Sequence, residues 1–295
     1  MAQTQISRRE FWSGWLFSSP ALTLLTLFLL YPIVSSLWMS FQIGKGMNLN
    51  FGGFANITRL TQDPVFQHAL LNTFTLLVIQ VPIMITLAIL LAVTLNDPKL
   101  WGRSLFRTAI FLPCITSLVA YSVLFKTMFA VDGVVNGFLQ TVHVISEPIP
   151  WAADPFWAKV LIIIAITWRW TGYNMIFFLA SLQNIDPSIY EAARIDGIPR
   201  WAQFARITLP ALKPVILFTT VTSTIGTLQL FDEVNNITQG GPSDSTLTLS
   251  LYIYNLSFKF MPSFGYAATV SYVIVVLVMI LSFLQFLVAR DRRPT

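Results

Sequence analysis

The sequence predicts an all-α fold, a polytopic membrane protein with six transmembrane helices. Of its 295 residues, 55% are hydrophobic and only 11% are charged, and the mean hydropathy is +0.68. These values exclude an ordinary soluble domain of this length. A bilayer core about 30 Å thick needs roughly 20 apolar helical residues to cross it. Six runs nearly free of charge meet this need, and they lack the strict alternation of membrane β-strands.

The runs are Phe11–Gly44, Ala69–Asn96, Thr108–Phe125, Ala158–Ile185, Pro214–Phe231 and Phe260–Ala289. The first follows Arg8 and Arg9, as in a signal peptide. It is too long for the apolar part of such a peptide, and no small-residue cleavage pattern ends it, so we expect it to be retained. The third is the shortest, and it spans the bilayer if Ser104–Phe106 and the Arg107 stem enter the interface. The fourth contains one charge, Arg169.

The distribution of Lys and Arg among the connections predicts the orientation of the chain. One side of the predicted topology carries twelve of them: Arg8, Arg9, Lys99, Arg103, Arg107, Arg194, Arg200, Arg206, Lys213, Arg290, Arg292 and Arg293. The other side carries five: Lys45, Arg59, Lys126, Lys159 and Lys259. The more basic side faces the cytoplasm, so both termini are expected there. The basic residues are dispersed without interleaved aromatic residues, and we assign no nucleic-acid surface to them.

Disulfide, metal and catalytic chemistry have little support in this sequence. Cys114 is the single cysteine and lies inside the third run, so no disulfide framework is expected. His68 and His143 lie outside the runs and form no metal-ligand cluster with acidic residues inside them. We therefore expect no metal site and no catalytic residue, and an intramembrane enzyme is a remote alternative.

The most charged stretch of its length, "EAARIDGIPRWAQFARITLP", lies between the fourth and fifth runs. Just before it, Asp186 and Pro187 supply an N-cap acceptor and a preset first helical residue. Gly197 suits the position that follows a helix end. These residues predict a short cytoplasmic helix that ends at Gly197. A second helical stretch, "RWAQFARI", is expected to be broken by Pro210 and Pro214 before the fifth run begins.

The spacing of this stretch resembles the EAA loop of permease subunits of binding-protein-dependent ABC importers. Every fixed position of the pattern EAA-x3-G-x9-I-x-L-P is met, by Glu191, Ala192, Ala193, Gly197, Ile207, Leu209 and Pro210. From about Trp15 to Arg290 the chain is similar to the sugar-type, first-permease subfamily that includes maltose and glycerol-3-phosphate permeases. Stretches such as "FDEVNNITQGGPSDSTLTLS" and "FGYAATVSYVIVVL" carry that similarity.

The resemblance implies an ABC importer type I permease fold with four regions. Residues 1–12 form a cytoplasmic tail, 13–65 the first transmembrane helix and an extracytoplasmic loop, 66–289 a permease core of five transmembrane helices with its EAA coupling loop at 186–210, and 290–295 a second cytoplasmic tail. The EAA helix of such permeases docks on a separate ATPase. The residues implied in this coupling are Glu191, Ala192, Ala193, Asp196, Gly197, Leu209 and Pro210.

The implied function is half of a heterodimeric pathway that imports a sugar or sugar-like solute across the prokaryotic cytoplasmic (inner) membrane. The implied partners are a second permease subunit, a cytoplasmic ABC ATPase dimer, an extracytoplasmic solute-binding protein and membrane lipid. The chain contains no G-x-x-x-x-G-K-[ST] motif, so it is not itself the motor. ATP and Mg are therefore expected on the partner subunits, and no cofactor is expected on this chain.

Candidate contacts with the solute lie in "TWRWTGYNM" of the fourth run. An arginine as deep in the bilayer as Arg169 is costly, and such residues face a bundle interior or a water-filled path. Helical spacing places Arg169 with Tyr173, and Trp170 with Asn174 and Tyr173, on overlapping faces. Aromatic rings beside polar groups suit a sugar, and in maltose-type permeases this region contacts the sugar. The predicted pathway residues are Arg169, Trp170, Tyr173, Asn174, Ser223 and Thr227.

Several alternatives stay open. The aromatic residues also suit an interfacial belt, Ser223 and Thr227 also suit helix packing, and Arg169 also suits a structural partner on a neighbouring helix. Asp232 and Glu233 follow the fifth run, and they reach Arg169 only if the helix is shifted inward. The solute is a neutral sugar or, if Arg169 compensates its charge, an anion such as a uronate or a phosphorylated polyol. A secondary transporter or channel is the second class, although inverted repeats are not evident.

Overall fold

The computed structural model describes residues 8–46 and 48–289. The predicted cytoplasmic tail 290–295, with Arg290, Arg292 and Arg293, lies outside the described residues, as does the 1–7 part of the N-terminal tail. The chain forms two compact units. The first comprises the residues up to Gln62 together with Ile253–Tyr272, and the second comprises Asp63–Tyr252 and the residues from Val273 onward.

The first unit starts with a long helical rod and a small hairpin. Its elements before residue 63 are α1 (Arg8–Leu25), α2 (Tyr31–Ser40), β1 (Gln42–Lys45), β2 (Asn48–Phe51) and α3 (Ala55–Gln62). A π-helical turn joins α1 to α2, and β1 pairs antiparallel with β2. The side chain of Asn56 donates to the carbonyl oxygens of Ser40 at 2.9 Å and Gln42 at 2.8 Å, where α2 ends. The predicted first span to Gly44 is therefore too long, because the helix ends at Ser40.

The second unit contains the helices that position the candidate site. They are α4 (Pro64–Asn96), α5 (Arg103–Ile115), α6 (Leu118–Met128), α7 (Val134–Thr141), α8 (Pro155–Gln183), α9 (Pro187–Ile195), α10 (Arg200–Gln203), α11 (Leu209–Leu228) and α12 (Asp232–Ile237). The chain continues with α13 (Leu249–Tyr254) and α14 (Phe264–Ala289). The helix α14 starts a few residues after the start predicted for the sixth span.

Asp-Pro pairs begin α4, α8 and α9. The side chains of Asp63, Asp154 and Asp186 each accept the backbone N–H of the residue two positions later, at 3.0, 2.9 and 2.9 Å. Each proline occupies the first helical turn, where no N–H is required. Backbone and hydroxyl hydrogen bonds from Ser188 lower the pKa of Asp186, so this cap stays ionised at neutral pH. The caps explain why α4 and α8 begin before the spans predicted for them.

The prediction of one continuous third span is wrong. The chain bends by 102° between α5 and α6, and Thr116 and Ser117 at the bend are not helical, with ψ of 151° and 133°. Pro113 in the last turn of α5 lacks an N–H and weakens that turn. The hydroxyl of Thr116 donates to the Pro113 carbonyl at 2.8 Å, which fixes the bend. Taken together, the bent pair is long and apolar enough for one span.

The expected break at Pro210 and Pro214 is also wrong. Residues Arg200–Leu228 form one helical rod, in which a π-helical turn at Phe204–Thr208 joins α10 to α11. The Leu209 N–H donates to the Phe204 carbonyl, as a π-turn requires. Pro210 falls in the first turn of α11, and Pro214 is accommodated inside the helix, as happens in membrane helices whose freed backbone groups are satisfied locally.

The predicted all-α membrane fold is confirmed. Among the described residues, five helices are long and apolar enough to cross a membrane, or six when the bent pair counts as one span. The core of the second unit lies where α4 packs on α8. Ala88 and Ala92 of α4 are fully buried in one cluster with Met175 and Phe178 of α8 and Leu212 of α11. Small residues on one face of α4 let the helices approach closely.

Candidate functional site

A cavity of about 380 Å³ lies among α4, α8, α11 and α12. Five of the six predicted pathway residues line it: Trp170, Tyr173, Asn174, Ser223 and Thr227. They come from two helices that are separated in sequence by the charged loop. The sixth, Arg169, lies beside the cavity and is not part of its lining.

Amide and hydroxyl groups form one side of the cavity. Thr227 Oγ1 donates to Gln80 Oε1 at 3.3 Å, and Gln80 Nε2 donates to Met84 Sδ at 3.2 Å. Asn174 Nδ2 donates to the Trp170 carbonyl at 3.1 Å. Asn174 is only 2% exposed, and its Oδ1 has no hydrogen-bond partner among the residues that the structure describes. A buried acceptor without a partner costs about 1–3 kcal/mol, so a hydrogen bond donated to this oxygen would stabilise the site.

Sequence reasoning missed Gln80. Its signal was present, because it is the amide nearest the middle of the apolar run of α4, and a polar side chain inside a span usually has a functional or packing partner. Thr222, Gly226 and Gln229 also line the cavity and were not among the predicted pathway residues.

Aromatic rings form a second side of the cavity. Trp170 and Tyr173 meet edge to face, with ring centroids 5.7 Å apart, and Tyr173 meets Phe177 at 5.1 Å. Phe177 in turn contacts Phe218 of α11 at 5.4 Å. The indole Nε1 of Trp170 donates to Glu233 Oε1 at 3.2 Å, which fixes the ring plane. A fixed aromatic face is a surface on which the apolar face of a sugar ring can pack.

Arg169 braces the bend between α5 and α6. Its Nη2 donates to the carbonyl oxygens of Cys114 at 3.4 Å and Thr116 at 3.3 Å, where the bend frees them. Its Nε lies 3.9 Å from Glu233 Oε1, and its guanidinium lies 5.1 Å from the ring centroid of Tyr121. Arg169 is 6% exposed and Glu233 4% exposed. The inward position of Glu233 on α12 thus supplies the carboxylate partner, and contact between Arg169 and a solute stays a prediction.

The charged loop contains the short helix that the sequence predicts. Helix α9 begins at the Asp-Pro pair, and Gly197 after its end has a φ of +69°. One hydrogen bond connects the loop to the base of α11, and another lies within the loop. The hydroxyls of Tyr190 and Thr208 lie 2.9 Å apart, and Gln203 Nε2 donates to the Ile198 carbonyl at 2.7 Å. The loop is therefore a folded unit attached to the rod that leads to the cavity.

The predicted coupling residues are mostly on the surface of this loop. Those exposed are Glu191, Ala192, Asp196, Gly197, Leu209 and Pro210, whereas Ala193 is buried. Two apolar residues that sequence reasoning did not select, Ile195 and Trp201, are 86% and 71% exposed. Exposed large apolar side chains on a polar loop are typical of a protein contact. Among the described residues, no group of three or more metal-ligating side chains occurs.

Residues 69–294 match the family described as binding-protein-dependent transport system inner membrane component. The chain belongs to this family. The permease is 67% identical, over 283 residues and 95% of both chains, to the lactose transport system permease protein of Rhizobium radiobacter. It is 33% identical to the alpha-glucoside transport system permease protein of Rhizobium meliloti, over 90% of this chain and 78% of the relative.

Solved structures agree with this assignment. The permease is similar to a chain of a bacterial ABC transporter involved in the import of the acidic polysaccharide alginate, with a TM-score of 0.83, 25% identity and coverage of 97% of this chain and 98% of that one. A second structure, of that kind of transporter with an alginate pentasaccharide-bound periplasmic protein, gives a TM-score of 0.84 at 25% identity, over 97% of both chains. The permease is thus a multi-pass subunit of a sugar ABC importer and a transport component rather than an enzyme, as predicted.

Proposed function

We propose that this permease pairs with a second permease subunit and forms half of the translocation pathway for a sugar or sugar-like solute. It lies in the prokaryotic inner membrane with both termini in the cytoplasm. The observation that carries the proposal is the convergence of Trp170, Tyr173 and Asn174 of α8 with Ser223 and Thr227 of α11 on one cavity. Aromatic faces accept the C–H surface of a sugar, and the amide and hydroxyl groups accept and donate hydrogen bonds to its hydroxyls.

The relatives support the sugar class of the solute. Two permeases that are similar to this one are named for the transport of lactose and of alpha-glucosides. Both solutes are built from hydroxylated rings, for which the cavity offers matching groups. The alginate transporter complex with its periplasmic protein supports delivery of the solute by an extracytoplasmic binding protein.

Coupling to a separate cytoplasmic ATPase dimer, which binds ATP and Mg, is assigned to the loop 186–210. Ile195 and Trp201 expose apolar surface there, and Glu191 and Ala192 are also exposed on α9. Helix α9 follows α8 and precedes the α10–α11 rod, so a force on α9 acts on both helices that line the cavity. The hydrogen bond between the hydroxyls of Tyr190 and Thr208 also connects α9 to the base of α11 through side chains.

The test is reconstitution of the permease with its second permease, ATPase and binding protein in proteoliposomes. Lactose and maltose, added one at a time, are expected to stimulate ATP hydrolysis and uptake if each is bound by the binding protein. Glu191→Ala is expected to lower solute-stimulated hydrolysis at least about tenfold, because the coupling contact is lost. Glu147→Ala, an exposed glutamate outside the loop, is the matched control. Unchanged coupling in Glu191→Ala, or uptake without any ATPase, would reject the proposal.

A further inference from the structure

The charged side chains around the cavity are unevenly distributed. Asp232 and Glu233 line it, and among the described lining residues none is positively charged. Asp232 is exposed, whereas Glu233 is buried. A concave, partly apolar site with carboxylates on its wall has a negative potential, which attracts cations and repels anions.

The nearby guanidinium of Arg169 does not make the potential at the cavity surface positive. The Nη2 of Arg169 is bonded to two carbonyl oxygens at the α5–α6 bend. Among the described residues its Nε and Nη1 make no hydrogen bonds, but Nε lies 3.9 Å from Glu233, and the guanidinium lies 5.1 Å and 5.6 Å from the ring centroids of Tyr121 and Trp170. Its positive charge therefore offsets the negative charge of Glu233, and Asp232 leaves a net negative charge at the cavity.

The hydrogen-bonding groups of the wall favour a solute that donates. Among the described residues Asn174 Oδ1 is a buried acceptor without a partner, and the Glu233 carboxylate has acceptor capacity beyond its bonds from the Trp170 indole and its own backbone N–H. A sugar hydroxyl supplies the missing donor. A carboxylate or phosphate on the solute offers acceptors alone, and it would be placed near Asp232 and Glu233 without a partner.

We propose that this cavity selects neutral polyhydroxyl solutes and excludes anionic ones, with Glu233 as the specificity-determining residue and Arg169 as the residue that positions it. The inference rests on the proposed function in identifying the cavity as the solute path. The alginate transporter, whose solute is acidic, shares the fold. Selection by solute charge therefore depends on the side chains of each cavity and not on the fold. For this permease the choice between neutral and anionic sugars is resolved in favour of neutral ones.

A pair of thiol reagents of similar size and opposite charge measures the potential directly. Cys114 is the single cysteine, so Cys114→Ala gives a cysteine-free background, and the carbonyl that Arg169 uses is retained. Thr222→Cys then places a thiol on the cavity wall. The reaction rates of trimethylammonioethyl and sulfonatoethyl methanethiosulfonate are measured on the assembled complex. Each rate is divided by that of the same reagent with a thiol in solution.

We expect the cationic reagent to react at least about tenfold faster than the anionic one after this correction. Glu233→Gln, which retains an acceptor for Trp170, and the exposed Asp232→Asn should each bring the ratio towards one. Gly137→Cys is the control position, because it is exposed on α7 and a Cβ there meets no atom within 4 Å. Its ratio should not change when Glu233 is neutralised.

A corrected ratio of one or below, or a ratio that neither neutralising variant changes, would overturn the proposal. Asp232→Asn keeps the test valid if Glu233→Gln fails to assemble, because Asp232 is exposed. The measurement needs neither a binding protein nor transport. A failure of the anion-exclusion proposal is therefore distinguishable from a failure of the proposed function, which would appear as absent solute-stimulated ATP hydrolysis.

Discussion

The two sides of helix α8 differ in how they meet their neighbours. On one side, a Cβ on Gly172 would overlap the carbonyl of Ile110, so the backbones of α5 and α8 are in direct contact. On the other side, α8 faces α11 across the cavity, and a Cβ on Gly226 of α11 would meet no atom within 4 Å. Two glycines in membrane helices thus have opposite surroundings. Whether a small residue serves close packing or borders a cavity depends on the neighbouring helix, and the residue type alone does not show which.

The strongest test of this difference is Gly172→Leu. The added side chain has no space against the α5 backbone, and neither main chain can move without disrupting the bend. We expect folded permease to be lost from detergent extracts, as measured by fluorescence-detected size exclusion. Gly226→Leu is the matched control, and it should elute at the wild-type position. Normal folding of Gly172→Leu would show that the α5–α8 contact is looser than described.

Arg169→Gln tests the brace on the closed side. The substitution leaves the Glu233 carboxylate buried without its countercharge and two carbonyls without a donor, which should cost about 3–5 kcal/mol of stability. The measurement is the thermal midpoint of the purified complex. Adding Glu233→Gln should recover part of the loss, because both partners of the ion pair are then neutral. If the double variant is less stable than the sum of the two single variants predicts, the pairing is not what stabilises the bend.

Gly226→Leu tests the open side by filling it. Folding should be retained, while uptake of the solute should fall at least about tenfold, because the new side chain occupies the space beside Trp170 and Tyr173. Uptake is measured in proteoliposomes, with Gly137→Leu on the outer surface of α7 as the control. Wild-type uptake by a folded Gly226→Leu complex would remove this cavity from the solute path.

The smallest effect on transport is expected at the contact between the charged loop and the base of α11, the helix that borders the cavity. Tyr190→Phe removes the hydroxyl that contacts Thr208, a hydrogen bond worth about 1 kcal/mol. We expect a loss of up to about fivefold in uptake per ATP hydrolysed, with unchanged protein yield. Tyr31→Phe, at an exposed position on α2, is the control. A normal transport ratio in Tyr190→Phe would mean that the backbone alone carries the coupling.

Much of the fold was accessible from sequence because the bilayer imposes long apolar runs, and the loop helix was predicted from its Asp-Pro start and glycine end. The same Asp-Pro signal at Asp63 and Asp154, if used, would have corrected the starts of α4 and α8. The α5–α6 bend was not predicted, because Pro113 was read only as part of an apolar run. The continuous rod through Pro210 depends on a π-turn, for which the sequence has no simple signal.

The candidate site was predictable one helix at a time. Periodicity grouped Trp170, Tyr173 and Asn174 correctly, because they share a face of α8. It did not show which face of α4 points at them, and so Gln80 was missed. The role of Arg169 was ambiguous for the same reason, since depth in the bilayer indicates that a charge needs a partner without naming it. The position of Glu233 depends on how α12 folds back after α11, which is a tertiary property.

The π-turn at Phe204–Thr208 also determines which side of α11 faces the cavity. One surplus residue in that turn rotates everything beyond it by roughly 100° compared with an uninterrupted α-helix. If the same residues were wound as a regular α-helix without this wide turn, Thr222 and Ser223 would be rotated away from the cavity. The direction in which this wall of the cavity faces is thus set by one turn near the start of the rod, several helical turns away.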